Sequence, residues 1–186
     1  MRYAPIAASA AIALVAAPAL AGGLVSIQRP ETAAKGSLTV TSPAFKAGGS
    51  IPLKYSAFGE NVSPPLSWSA VPAAKSYAIL VDDPDGRSPT PVSHWAAWNI
   101  APNTTMTPEG STNGVQGTNS HDGVGYVGPH PPANDPPHHY HFQVLALDRM
   151  LDVAAGARRE AVLAAANGHV VAKGEVVATF QAPKPG

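Results

Sequence analysis

The sequence predicts a mainly β fold, an antiparallel β-sandwich carrying one or two short peripheral helices. Seven short runs rich in Val, Ile, Tyr and Trp recur between clusters of Pro, Gly, Asn and Ser, the cadence of an antiparallel β protein. Two of these runs, at 77–81 and 142–147, are apolar without alternation, as central strands buried on both faces are. One segment, 156–167, reads as a helix.

The chain of 186 residues suits one domain, because domains cluster near ~100–150 residues. Residues 1–21 read as a signal peptide cleaved near Ala21. Arg2 supplies the charge, an Ala-rich apolar run follows, and Ala19-Leu20-Ala21 puts small residues at the cut. A retained membrane anchor is the alternative, since no charge lies between Arg2 and Arg29 and a spanning helix needs ~20 apolar residues. Pro18, Gly22 and Gly23 argue against it. Export would leave the mature chain periplasmic or secreted, with no stable membrane span. Residues 22–36, small and polar without a sustained period, read as a flexible lead-in, and 37–182 as the domain.

In order, the expected strands are 38–42, 50–56, 66–69, 76–83, 93–100, 140–148 and 169–180, enough for a sandwich. The helix places Val162, Leu163 and Ala166 on one face and groups Arg158, Arg159 and Glu160 near its start, with Gly168 as terminator. Between 101 and 139 Pro, Gly, Asn, Thr and His dominate. So long an irregular stretch in a compact domain implies functional loops.

Losing Arg2 on export leaves eleven basic residues against twelve acidic ones, a formal charge of −1, and nothing points to a nucleic-acid partner. The chain has no cysteine, so it has neither disulfides nor a thiolate nucleophile, and no lipid-modified cysteine can anchor it.

Four polar features stand at the ends of these runs: Asp82-Asp83-Pro84-Asp85, His94-Trp95, the turn Gly125-Tyr126-Val127-Gly128-Pro129, and His138-His139-Tyr140-His141. Strand alternation points His138 and Tyr140 to one side and His139 and His141 to the other. The same alternation groups His94 with Ala96 and Trp98, leaving an open rim in front of a small residue. Two imidazoles, a phenol and the amides near Gly128 would together suit an oxyanion. Asp83 would accept from a histidine and fix its tautomer, while Asp82 and Asp85 shape the turn around Pro84. The plainer reading is that His94 and His138 are buried, hydrogen-bonded strand caps.

Four histidines, at 130, 138, 139 and 141, also invite a metal. Alternation splits them and no helical His pair is present, so no metal or other cofactor is assigned, and His130 and His139 read as surface residues. Trp68, Trp95 and Trp98 read as core or pocket wall, and Tyr126 as a possible rim residue.

The order DPD, HW before Asn-Ile, GY-x-GP-x-PP and H-x-YHF-x-V-x-ALD, with Asn61 to Trp68 and Gly168-His169-Val170, resembles the phosphatidylethanolamine-binding protein family, in its bacterial Raf-kinase-inhibitor-like branch. The likeness covers roughly residues 38–181. It implies a β-sandwich with a shallow pocket for phosphate or phosphoryl head groups, no established turnover, and ligand contacts at Asp83, His94, Gly128, Pro129, His138 and Tyr140. Asp85, Tyr126 and His130 fall at its rim. Three positions depart from the pattern: Gly86-Arg87 stands for Ala-Pro, His130 for a frequent Cys, and His139 for the usual Arg. Losing that Arg predicts a looser loop at Asp85.

The function expected is therefore an exported, non-enzymatic protein binding a small anion or phospholipid head group. The alternatives are an inhibitor or interaction module contacting a kinase, protease or host protein through 101–137, and an Asp/His hydrolase, which lacks an evident nucleophile. A homodimer is compatible with the sequence.

Overall fold

The computed structural model describes residues 23–184; the expected signal peptide lies outside them. In chain order the elements are β1 (Gly36–Ser37), β2 (Val40–Thr41), β3 (Leu66–Trp68), β4 (Ser76–Asp83), β5 (Val92–Ile100), β6 (Met106–Thr107), β7 (Val115–Gln116), β8 (His138–Leu147), α1 (Arg159–Ala166) and β9 (Val170–Phe180). Six strands form one sheet in the order β1-β9-β8-β4-β5-β7, and β2-β3-β6 form a second. All pairings are antiparallel except β1 with β9.

The large sheet is covered on both faces. On one, Tyr77, Ile79 and Val81 of β4 and Phe142, Val144 and Ala146 of β8 pack against Val40, Leu66 and Trp68 of the small sheet. On the other, Ala78, Leu80, Ala96, Trp98, Leu145 and Leu147 receive Val162, Leu163 and Ala166 of α1. Every residue of β4 is buried, which is why its sequence runs apolar without alternation. Burying each of the large side chains removes about 1.5–3 kcal/mol of apolar hydration cost.

Three expectations change. The 50–56 run is not a strand: Ser50 makes a single bridge to Thr179 and Leu53–Tyr55 form a 3-10 turn. Pro52 has no amide to lend a ladder, and its carbonyl accepts from Tyr55 N. The helix begins at Arg159 rather than 156, because Gly156 is left-handed (φ 78) and Arg158 is extended and bridged to Thr118. Finally, residues 23–36 are not a loose lead-in. Val25 is fully buried, two 3-10 turns (Ser26–Gln28 and Pro30–Thr32) follow, and Gly36 and Ser37 pair with Ala172 and Lys173.

Apart from Val25 and Ala34, what holds that segment is polar and leaves no hydrophobic period. Ser26 N donates to Asp82 Oδ2 at 2.6 Å, Ile27 N to Gln143 Oε1, and Lys173 Nζ to Ile27 O at 2.7 Å. Asp82 is correspondingly no turn former. It is wholly buried in β4 and paired with Arg159 Nη1 at 3.0 Å, while Gln143 Nε2 donates to it at 2.9 Å.

Candidate functional site

A β-bulge builds the site. β4 and β5 pair Val81 with Trp95 and then Asp82 with Ser93, skipping His94. The extra residue breaks the alternation that would set His94 beside Ala96 and Trp98. His94 instead turns toward the small-sheet face, where its ring meets Tyr140 edge-on at 5.1 Å. Bulges beside functional sites commonly re-aim one side chain in this way.

The Val127 backbone clamps the re-aimed ring. Val127 N donates to His94 O at 2.9 Å and His94 Nδ1 donates to Val127 O, also at 2.9 Å. A carbonyl only accepts, so the Nδ1 proton is fixed and Nε2 of the neutral ring keeps its lone pair. That Nε2 lies 4.0 Å from Asp83 Oδ2. Burial depresses the His94 imidazole below its ordinary value, against the opposing pull of Val127 O and Asp83.

From β8, His138 Nδ1 donates to the same Asp83 Oδ2 at 2.8 Å, while Asp83 Oδ1 accepts from Asp85 N at 2.8 Å. Tyr140, two residues on, faces the same way as expected. Its hydroxyl is buried and has no hydrogen-bond partner among the described residues. Burial, and then the neighbouring Asp83 carboxylate, push the phenol up.

Above these groups opens a cavity of about 180 Å³ lined by Asp83, Gly86, Arg87, Val92, His94, His130, Pro131, Pro132 and His138. Asp83, His94 and His138 line it together, and Tyr140 meets the His94 ring from beneath without lining the cavity itself. Gly128 and Pro129 are close by in the chain but do not line the cavity. Gly128 N donates to Asn61 Oδ1 at 2.7 Å and is not free for an anion. Its requirement for glycine is spatial, since a Cβ would stand 2.3 Å from Tyr55 O.

Of the expected rim, His130 lines the cavity with its ring 5.0 Å from Phe58. Tyr126 is an internal wall: it meets Trp95 edge-on at 5.8 Å and donates to Tyr55 O at 2.7 Å. Asp85 is a buttress, and its loop is not left loose. Asp85 Oδ2 accepts from both N and Nδ1 of His139, at 2.7 and 2.8 Å, so an imidazole stands in for the missing guanidinium.

Sequence reasoning missed His121, whose ring lies 6.2 Å from His94 and 6.1 Å from His130, and Arg87 with its partner Asp135. Asn119 positions His121: buried, it accepts from His121 N and Gly123 N and donates to Gly125 O. Among the described residues no group of three His, Asp or Glu side chains could hold a metal ion, and no helix is long and apolar enough to cross a membrane.

Two packed β-sheets with one helix, carrying Asp83, His94 and His138 around a small cavity, define the class of fold. The chain belongs to the phosphatidylethanolamine-binding protein family, whose model matches residues 41–181. It is 42% identical over 116 residues to a UPF0098 protein of Pyrococcus horikoshii, an alignment that takes in 58% of this chain and 58% of that protein. The chain thus spans little more than half the length of that relative. Two crystal structures superpose with a TM-score of 0.74 over 80% of this chain and 100% of theirs. They are a phosphatidylethanolamine-binding protein homolog of Chlamydia trachomatis, 37% identical, and Escherichia coli YbcL, 30% identical.

Proposed function

We propose that this is an exported binding protein whose cavity takes a phosphate-like group, free or as a lipid head group. The observation that carries this reading is the Tyr140 hydroxyl, buried close to the Asp83 carboxylate beneath the cavity without a hydrogen bond of ordinary geometry. An unmet buried donor costs about 1–3 kcal/mol, and an oxyanion oxygen would accept from it. The cavity of about 180 Å³ admits a head group and not an acyl chain.

The site holds a carboxylate and a neutral imidazole, so an anion enters together with a proton. Either His94 takes that proton at Nε2, or a P–OH group donates to His94 Nε2 or Asp83. Both routes make affinity fall as pH rises. The fall begins below the ordinary imidazole value near 6.5, because burial depresses His94.

Titration calorimetry with phosphate and phosphoethanolamine between about pH 5.5 and 7.5 tests this, with His138→Ala as the weakened variant. Absence of heat with both probes at every pH ends the reading. A protein partner is a second reading, favoured by the exposed side chains of Met106 and Val124 in the 101–137 stretch. Replacing the exposed Met106 and Val124 side chains by polar ones would abolish that function and spare anion binding.

A further inference from the structure

Beside the cavity a second carboxylate faces two of its lining groups, Arg87 and His138. Asp135 closes a turn in which its N–H donates to Pro132 O at 3.0 Å, and Gln181 Nε2 donates to its carbonyl at 3.2 Å. From this fixed position Oδ1 accepts from Arg87 Nη2 at 2.6 Å. Oδ2 stands 3.5 Å from His138 Nε2, the ring nitrogen that Asp83 does not use. The Asp135 side chain is 14% exposed and that of Arg87 77%. Arg87 also holds the Asp135 carboxyl below the usual carboxylate range, so its charge persists at neutral pH.

We propose that Asp135 is a specificity-determining residue that makes the pocket favour singly charged phosphodiesters over doubly charged phosphomonoesters. The inference rests on the phosphate-binding reading above. With His94 neutral, the cation Arg87 is opposed by the two carboxylates of Asp83 and Asp135, so a second ligand charge meets no surplus positive field. A diester carries one charge, whereas a monoester carries about −1.5 to −2 near neutral pH. Removing the Asp135 charge leaves Arg87 balanced by Asp83 alone instead of outweighed, which favours the more highly charged ester.

The test is the ratio of affinities for methyl phosphate and dimethyl phosphate, measured by calorimetry near pH 7.5 on the unsubstituted protein, Asp135→Asn and Asp135→Glu. Asp135→Asn should raise the methyl-to-dimethyl ratio about 3- to 10-fold, and Asp135→Glu should restore it. Comparing the ratio between variants cancels any loss of folded protein and the difference in ester bulk. A ratio unchanged within about twofold overturns the role of Asp135 while leaving the pocket standing. Failure of both esters to bind the unsubstituted protein at every pH from about 5.5 to 7.5 overturns the pocket reading and this inference with it.

Discussion

His138 Nδ1 donates to Asp83 Oδ2 at 2.8 Å, with both side chains no more than 5% exposed. The bond ties the end of β4 to the start of β8, and Asp83 Oδ1 simultaneously caps Asp85 N. Asp83→Ala therefore strands the buried His138 Nδ1 donor, at a cost of about 1–3 kcal/mol, and frees Asp85 N at the surface. Urea unfolding should show a loss of about 1–3 kcal/mol. A loss below about 1 kcal/mol would show that water satisfies the pair.

Tyr140→Phe separates stability from binding. The hydroxyl is buried without a partner, so deleting it removes an unmet polar group at constant shape. The variant should be as stable as the parent or more so, by up to about 1 kcal/mol, and should bind phosphate about tenfold more weakly. Matched unfolding and calorimetric titrations check both halves, and a destabilised variant would reveal a hydrogen bond to the phenol.

Stability should also depend on His94. Its folded value lies below the ordinary 6.5, so below pH 6.5 the unfolded chain binds more protons and stability falls with pH. It is fully present above that value. The loss is at most about 1.4 kcal/mol per pH unit. Comparing urea midpoints of the parent and His94→Asn from about pH 7 to pH 5 should show the steeper decline in the parent. Parallel curves would contradict the depressed imidazole.

On the opposite face, Arg159 and Asp82 form a buried ion pair, 3% and 0% exposed, that also anchors Ser26. Removing one partner of such a pair costs about 3–5 kcal/mol. Arg159→Ala should therefore unfold at lower urea and free residues 23–36 for rapid amide exchange. The double variant Arg159→Met/Asp82→Asn should recover part of the loss, because no uncompensated charge remains. Equal losses in both would place the cost in packing instead.

The strands and the helix were legible because β4, β8 and α1 carry apolar patterns set by the layers they face. His138 and Tyr140 were legible as alternate positions of one regular strand, and Asp83 through the motif it shares with the family. His94 reached the site by a bulge, and a bulge leaves no mark in alternation. The packing of 24–36 was hidden because its ties are backbone amides onto Asp82 and Gln143 rather than apolar side chains. Asp135 and Arg87 sit in turns whose positions only the folded loops determine, although Arg87 stood out as a departure from the family pattern.

The central claim is that Asp83, His94, His138 and Tyr140 converge to receive an oxyanion. A crystal structure of the protein soaked in phosphate near pH 6 tests it most directly. The account predicts a phosphate in the cavity, one oxygen accepting from Tyr140 Oη and another within hydrogen-bonding reach of His94 Nε2. A cavity holding only water, with the anion absent or bound on another face, would contradict it.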